Sequence, residues 1–112
     1  MAEVLLEYDR LLVRDDGRAY RARVWGSEAH DGTDRWQGWI EFLPIHGGSP
    51  LRTARETTQP DRTCTVYWST GLTRVYLEGA FERALRTVRT NSLLEFTSFD
   101  RCFLKSLAIV PG

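Results

Sequence analysis

The stretch Thr57-Thr58-Gln59-Pro60-Asp61 divides the sequence into two halves with different patterns. Before it, apolar and aromatic residues alternate with polar ones, as in half-buried strands. After it, most apolar residues recur at helical spacing. A run of strands followed by helices is typical of an α+β domain. We therefore predict an antiparallel sheet of about four strands, followed by helices that pack on one of its faces.

The composition is that of an ordered globular protein. Of the 112 residues, 42% are hydrophobic and 12% are aromatic, which supplies enough apolar surface for a core. We predict a single domain over residues 1–112, with a core at about 5–88 and a tail at 90–112 whose structure the pattern leaves open. Because fifteen basic residues balance fifteen acidic ones, no net field attracts nucleic acid or anionic lipid. Any partner must be recognised locally.

Residue usage also suggests a source and a compartment. All basic residues except Lys105 are Arg, which we attribute to a GC-rich bacterial genome. Met1–Glu7 lacks the basic segment of a secretion signal, and no apolar run approaches the ~20 residues that span a bilayer. We therefore predict a cytoplasmic protein without membrane contact. Cys64 and Cys102 are too far apart for a zinc or redox motif, so we expect reduced thiols and no cofactor.

The first half predicts three strands. Asp15-Asp16-Gly17 supplies the turn residues of a hairpin between Leu11–Arg14 and Arg18–Trp25. A polar loop, residues 26–34, leads to a third strand over Arg35–Leu43. The alternation assigns one set of side chains to the core: Tyr20, Ala22 and Val24 from the second arm, and Trp36, Ile40 and Phe42 from the third strand.

The opposite face of these two strands combines Arg with Trp. We assume a register in which Arg23 lies opposite Gln37. That register produces two cross-strand Arg–Trp pairs, Arg21 with Trp39 and Arg35 with Trp25. Exposed pairs of this kind gain about 0.5–1 kcal/mol from cation–π contact.

The second half predicts an edge strand and then a helix. Weak alternation at Leu51–Thr57 suits the edge of the sheet. A helix follows at about Gln59–Thr70, capped by Thr58 and ended by Gly71. The alternative, which stays open, is a hairpin between two segments rich in β-forming residues, Thr63–Trp68 and Arg74–Glu78.

A second helix is predicted at Val75–Val88. Five apolar residues recur there at helical spacing and should cover the inner face of the sheet: Leu77, Phe81, Ala84, Leu85 and Val88. Glu82 and Arg86 are spaced for an ion pair. The polar run Thr90-Asn91-Ser92 predicts a break. Leu93–Val110 then fits a helix, which we favour, although its last eight residues alone also fit a strand.

Three segments resemble those of small uncharacterised bacterial proteins of about this length. They are Trp36-Gln37-Gly38-Trp39-Ile40-Glu41-Phe42, Leu51-Arg52-Thr53-Ala54-Arg55-Glu56-Thr57-Thr58-Gln59-Pro60 and Tyr76-Leu77-Glu78-Gly79-Ala80-Phe81. The resemblance covers roughly residues 5–88 and leaves the tail outside. It implies no activity.

The densest group of functional side chains surrounds the predicted helix start: Arg52, Arg55, Glu56, Thr57, Thr58 and Gln59. Free amides at a helix N-terminus, together with two guanidinium groups, can bind a phosphate or a carboxylate. We favour a simpler interpretation, in which Thr58 caps the helix and Arg55 pairs with Glu56, because caps are far commoner than anion sites.

A second candidate is the outer sheet face, which carries Arg21, Arg23, Trp25, Arg35, Gln37, Trp39 and Glu41. Aromatic rings interleaved with Arg are typical of surfaces that stack single-stranded bases. The neutral net charge and the lack of an RNA-recognition signature favour a solvated face, or one covered by a second subunit or by the tail. We likewise interpret the basic stripe of Arg83, Arg86 and Arg89 as a solvated helix face.

Catalysis and metal binding have little support. Ser27, His30 and Asp31 share one loop, but a triad requires a fixed geometry that nearness in sequence does not supply. Two His residues without further clustered ligands predict no zinc site. A packed core explains three nearby aromatic residues better than a ligand pocket does: Tyr67, Trp68 and Tyr76.

The sequence thus favours a protein-interaction or assembly module without catalytic activity, whose partner is another protein or a second copy of the chain. The alternative is a domain that binds nucleic acid or a phosphate ligand through its Arg and Trp side chains. A small enzyme is less favoured.

Overall fold

A computed structural model of the chain describes the backbone of residues 1–96 and the side chains of residues 1–88. Within this part of the chain, six strands precede two helices. The elements are β1 (Glu3–Glu7), β2 (Leu12–Val13), β3 (Ala19–Glu28), β4 (Trp36–Pro44), β5 (Leu51–Arg52), β6 (Thr57–Gln59), α1 (Arg62–Thr70) and α2 (Arg74–Phe96). The antiparallel sheet with helices packed on it confirms the predicted α+β class.

The sheet is built around β3 and β4, which pair antiparallel over nine positions from Tyr20 opposite Pro44 to Glu28 opposite Trp36. β1 and β2 pair with the other edge of β3, and β5 and β6 pair with the other edge of β4. β2 and the start of β3 form the predicted hairpin. Its turn places Gly17 at φ 85°, a conformation that glycine adopts without steric cost.

β1 was not predicted, because its sequence lacks a simple alternation. The register slips between Val4 and Leu6, so that Val4 lies opposite Trp25 and Leu6 lies opposite Val24. This β-bulge adds one residue to β1 and breaks the period of two. A strand that contains a bulge cannot be recognised by alternation alone.

The assumed register between β3 and β4 is wrong by four residues. Arg23 lies opposite Glu41, not Gln37, and Trp25 lies opposite Trp39. β3 extends through Glu28 into the predicted loop, and the turn that follows has positive φ at Gly32 (81°) and at Asp34 (56°). Both predicted Arg–Trp cross-strand pairs are therefore wrong, and Arg35 lies outside the strands.

The predicted edge strand at residues 51–57 is divided into β5 and β6. Between them, Thr53 is buried, and its hydroxyl accepts a hydrogen bond from the Ile40 amide, while its own amide donates to the Ile40 carbonyl. The Thr53 hydroxyl thus accepts the hydrogen bond that a backbone carbonyl would accept in a regular strand pair. β5 and β6 remain at the edge of β4, where weak alternation placed them.

α1 confirms the predicted helix and its end at Gly71, and excludes the hairpin alternative. The predicted cap is wrong, because Thr58 belongs to β6 and Asp61 is the N-cap. The Asp61 carboxylate accepts a hydrogen bond of 2.8 Å from the Cys64 amide. Pairing of residues 57–59 with β4 moves the start of the helix beyond Pro60.

α2 confirms the second helix and extends it. It runs without interruption through Thr90-Asn91-Ser92, where a break was predicted. These residues have only slightly unfavourable helix propensities, which context readily overrides. Glu82 pairs with Arg14 of the first hairpin, not with Arg86 as predicted. The predictions for residues 97–112, including Cys102, lie outside the described residues.

The core lies between the sheet and α2. Val24, Ile40 and Phe42 are fully buried on the inner face of the sheet, and Phe81 packs on Phe42 with ring centroids 5.2 Å apart. Ala80 and Ala84 flank Phe81 on the helix and are also buried, and their small size permits close approach to the sheet. The predicted inner face of Tyr20, Ala22 and Val24 is confirmed.

Candidate functional site

The outer face of the sheet, opposite the helices, carries two contrasting rows of side chains. Directly opposed residues on neighbouring strands point to the same face. One row is apolar and crosses β1, β3 and β4: Val4, Trp25 and Trp39. The next row is charged and continues onto β5: Glu7, Arg23, Glu41 and Arg52. We refer to them as the apolar row and the charged row.

The apolar row places two Trp side chains next to each other. Trp25 and Trp39 are direct cross-strand partners in the centre of the sheet. The Arg52 guanidinium lies 4.9 Å from the ring centre of Trp39, which is 8% exposed, and Arg23 lies 5.8 Å from the ring centre of Trp25. The cation–π contacts that the sequence suggested therefore exist, but with different Arg partners.

The charged row alternates in sign across the sheet. Arg23 donates a hydrogen bond of 2.9 Å to Oε1 of Glu41, and the Trp25 indole N–H donates another of 2.9 Å to the same oxygen. The Glu41 side chain is only 17% exposed, because Arg23 and Trp25 pack against its carboxylate. The Nε of Arg23 is buried and has no acceptor among the described residues, so the Arg23–Glu41 pair is held by one hydrogen bond.

A recess of about 210 Å³ opens where the two rows meet. It is lined by Ala2, Trp25, Trp39, Glu41 and Arg52. Sites for whole small-molecule ligands are typically about 300–1,000 Å³ and enclose most of the ligand. The recess is large enough for one side chain of a partner. Its aromatic faces, carboxylate and guanidinium offer both apolar and charged contacts.

The structure separates the residues of the predicted anion site. Arg52 lies on the outer face, and the exposed Arg55 donates to the Thr58 hydroxyl over 3.3 Å. Gln59 donates to the neighbouring Thr57 hydroxyl. The α1 N-terminus is already capped by the Asp61 carboxylate, which repels an anion. These residues therefore form no common site.

Glu56 instead joins the connection between β5 and β6 to α2. Its carboxylate accepts two hydrogen bonds from Arg83 and one of 2.6 Å from the Tyr76 hydroxyl. The predicted pairing with Arg55 is therefore wrong. Burial alone raises the pKa of Glu56, but the hydrogen bonds from Arg83 and Tyr76 and the charge of Arg83 outweigh burial and hold that pKa below its usual value. An ionised, paired carboxylate is suited to holding the fold and not to donating a proton.

The sequence contained one signal for this cluster. Tyr76 and Arg83 are seven residues apart, which places them on the same side of a helix, two turns from each other. The prediction that Arg83 belongs to a solvated basic stripe is wrong, because its guanidinium is bonded to Glu56. Burial and hydrogen bonding to Glu56 also raise the pKa of Tyr76 to about 12, so the phenol stays protonated near neutral pH.

Ser27, His30 and Asp31 are not brought together as a triad. Ser27 is buried and bonds to Gln37 and to the Glu28 carbonyl, while Asp31 bonds to Thr33.

Of the three aromatic residues assigned to the core, Trp68 and Tyr76 pack edge to face with centroids 6.3 Å apart, whereas Tyr67 is 80% exposed. Among the side chains of residues 1–88, no three His, Cys, Asp or Glu groups converge as metal ligands.

Two larger surface cavities lie at the edges of the helical layer. One, of about 490 Å³, lies between the β4–β5 loop and α2 and includes Arg18, His46 and Leu85 in its lining. The other, of about 480 Å³, lies beside the start of α2 and includes Leu12 and Leu77. At the edge of the second cavity, burial raises the pKa of Tyr8 to about 12, and its hydroxyl donates to the Ser69 carbonyl.

Comparisons with protein-family models, curated proteins and solved structures find no match for this chain. The resemblance to small bacterial proteins therefore stays a prediction. In the part of the chain that the structure describes, neither helix combines the length and apolar character needed to cross a bilayer.

Proposed function

We propose that this chain is a bacterial, cytoplasmic protein-interaction module that acts without catalysis, through the outer face of its sheet. The single observation that carries the proposal is the adjacent pair of Trp25 and Trp39, bordered by Arg23 and Arg52. Trp and Arg are enriched among the residues that contribute most to binding between proteins. The compartment and the source rest on the sequence alone.

The fixed side-chain positions on the outer face support a protein partner. The charged row holds Arg23 and Glu41 in fixed positions, so a partner meets a surface whose side-chain entropy has already been lost. The recess beside Trp39 admits a single side chain, as the pockets that surround interface anchor residues do. A preorganised face with one small recess is suited to recognising another folded surface.

Nucleic-acid or phosphate binding, the alternative, has less support. Phosphate contacts require cations that are free to replace the counterions of the nucleic acid. In residues 1–88, six Arg side chains on different parts of the surface are paired with carboxylates: Arg14, Arg18, Arg21, Arg23, Arg62 and Arg83. With a net charge of zero, the chain as a whole has no attraction for phosphate.

Site-specific photo-crosslinking in living cells tests the proposal. A photoreactive amino acid replaces Val4, an exposed residue of the apolar row, or Tyr67, an exposed residue of α1 that serves as the matched control. We expect covalent protein adducts from position 4, none from position 67, and loss of the adducts from position 4 when Trp25→Ala is added. Adducts from neither position, or equal yields from both, would contradict the proposal.

A further inference from the structure

We propose that the partner of the outer face is a second copy of this chain, packed face to face about a two-fold axis. The axis runs parallel to the strands, between β3 and β4. This inference rests on the proposed function, because it identifies the protein that the same face binds. The order of charges across the sheet is the observation from which it follows.

The charged row of one copy is complementary to the charged row of a second copy that runs in the opposite order. From β1 to β5 its residues carry the signs minus, plus, minus and plus, in the order Glu7, Arg23, Glu41 and Arg52. A two-fold axis parallel to the strands reverses this order in the second copy. Glu7 then faces the partner's Arg52, and Arg23 faces the partner's Glu41. All four contacts across the charged row therefore join opposite charges, which favours association and fixes the register.

The same axis also matches the apolar row. Trp25 and Trp39 are cross-strand partners on the two strands that flank the axis, so Trp25 faces the partner's Trp39 and the reverse contact is identical. Because Trp39 is 8% exposed and Arg52 lies over its ring, Trp25 packs mainly on the partner's Arg52 guanidinium, as a cation–π contact. Sheets related in this way have nearly aligned strands, which is one of the two common geometries of sheet packing.

Two other two-fold axes in the plane of the sheet produce unfavourable contacts. An axis along the charged row places every charge against itself, so Glu41 faces the partner's Glu41. An axis between the two rows places Trp39 over the partner's Glu41, which removes a carboxylate from water without providing a cation. Of these three axes, the one parallel to the strands is the one in which both rows are satisfied.

The size of the face sets the expected affinity. Four strands about 4.8 Å apart are roughly 20 Å wide, and the nine paired positions of β3 and β4 extend for about 30 Å along the strands. Because β1 and β5 are shorter, we take the face as roughly 20 Å by 25 Å. Two such faces bury on the order of 1,000 Å², at the lower end of the range for specific protein–protein interfaces. We therefore expect a dimer with a dissociation constant in the micromolar range, which dissociates on dilution.

Two charge-reversal variants of the full-length protein test the arrangement. In Glu7→Arg, the new Arg side chain faces the partner's Arg52; in Arg52→Glu, the new Glu side chain faces the partner's Glu7. Each variant alone therefore has two like-charged contacts per dimer. In an equimolar mixture of the two, the mixed dimer has opposite charges at both contacts. Arg86→Glu, an exposed charge reversal on α2, is the matched control.

Sedimentation velocity over a range of micromolar concentrations provides the measurement. We expect wild type and Arg86→Glu to dimerise, each outer-face variant alone to associate at least about ten-fold more weakly, and the mixture to recover dimerisation. Recovery in the mixture also shows that both variants are folded. A wild type that stays monomeric, or a mixture that associates no better than its components, would overturn the inference.

The mass of the photo-crosslinked product distinguishes the two proposals. A product from position 4 with twice the mass of the chain supports both. A product that contains a different protein supports the proposed function and overturns the dimer. The absence of any product from position 4 contradicts both.

Discussion

Replacing Glu56 with Gln tests whether the ion pair between the β5–β6 connection and α2 stabilises the fold. The carboxylate accepts two hydrogen bonds from Arg83 and one from Tyr76. Gln has nearly the same shape, but its amide NH₂ group is a donor and cannot accept a hydrogen bond. The substitution therefore removes the negative charge and at least one hydrogen bond while preserving the packing.

The burial of the two partners sets the size of the effect. A hydrogen bond to a charged group contributes about 1.5–3 kcal/mol to stability. Glu56 is 9% exposed and cannot recover the lost bond from water, whereas Arg83 is 41% exposed and can be rehydrated. We therefore expect Glu56→Gln to lower the free energy of unfolding by about 2 kcal/mol. At a typical urea dependence of about 2 kcal/mol per M, the unfolding midpoint falls by about 1 M.

The loss of stability should also depend on pH. The pKa of Glu56 lies below its usual value in the folded protein, because the bonds from Arg83 and Tyr76 outweigh the effect of burial. A carboxyl group whose pKa is lowered by folding stabilises the fold above its unfolded pKa, and this contribution is lost as the pH falls through the folded value. The stability difference between wild type and Glu56→Gln is thus complete at neutral pH and decreases in acid, as the pH falls through the lowered pKa of Glu56.

Urea denaturation followed by circular dichroism measures both effects. Glu82→Gln is the matched control, because it is the same substitution in another carboxylate that pairs with an Arg, but Glu82 is 47% exposed. For the control we expect a loss of about 0–1 kcal/mol, as for other surface ion pairs. A Glu56→Gln midpoint no lower than that of the control, or a difference that persists unchanged in acid, would refute the assignment of Glu56 as a stabilising carboxylate.

Three further predictions concern the fold and the binding surface. Gly38→Ala should destabilise the protein by about 1–3 kcal/mol in thermal unfolding, because the added Cβ would lie 3.1–3.2 Å from side-chain atoms of Thr57, Thr65 and Trp68; an unchanged midpoint would contradict this packing. Asp61→Ala should lower the urea midpoint, whereas Thr58→Ala should not, because Asp61 is the cap of α1; the opposite order would show that the cap is misassigned. Fluorescence titration with a single-stranded oligonucleotide at low salt should detect no binding, and a salt-sensitive complex would favour the nucleic-acid alternative.

Local patterns predicted much of the fold. The alternation of Tyr20, Ala22 and Val24 identified the inner face of β3, and Asp16-Gly17 identified the first turn. The spacing of apolar residues in α2 identified the side that packs on the sheet, except that the prediction for Val88 is wrong, because this residue is 40% exposed. These features depend on residues within a few positions of one another, so the sequence contains them directly.

The candidate site depends on the register of distant residues, which local patterns do not specify. The turn near Gly32 and Asp34 moves the pairing of β3 with β4 by four residues, and this shift brings Trp25 beside Trp39. Alternation had placed both side chains on the outer face, but not next to each other. In the same way, the bulge in β1 concealed the strand that completes both rows.

The most direct test of the outer face as a protein-binding surface is oxidative footprinting of the unaltered protein, in living cells and in dilute solution. Trp25 reports on the outer face, and the 80% exposed Tyr67 on α1 serves as an internal reference. We predict that Trp25 is oxidised several-fold more slowly in cells than in dilute solution, while the rate for Tyr67 is the same in both. Equal oxidation of Trp25 in the two settings would contradict the account.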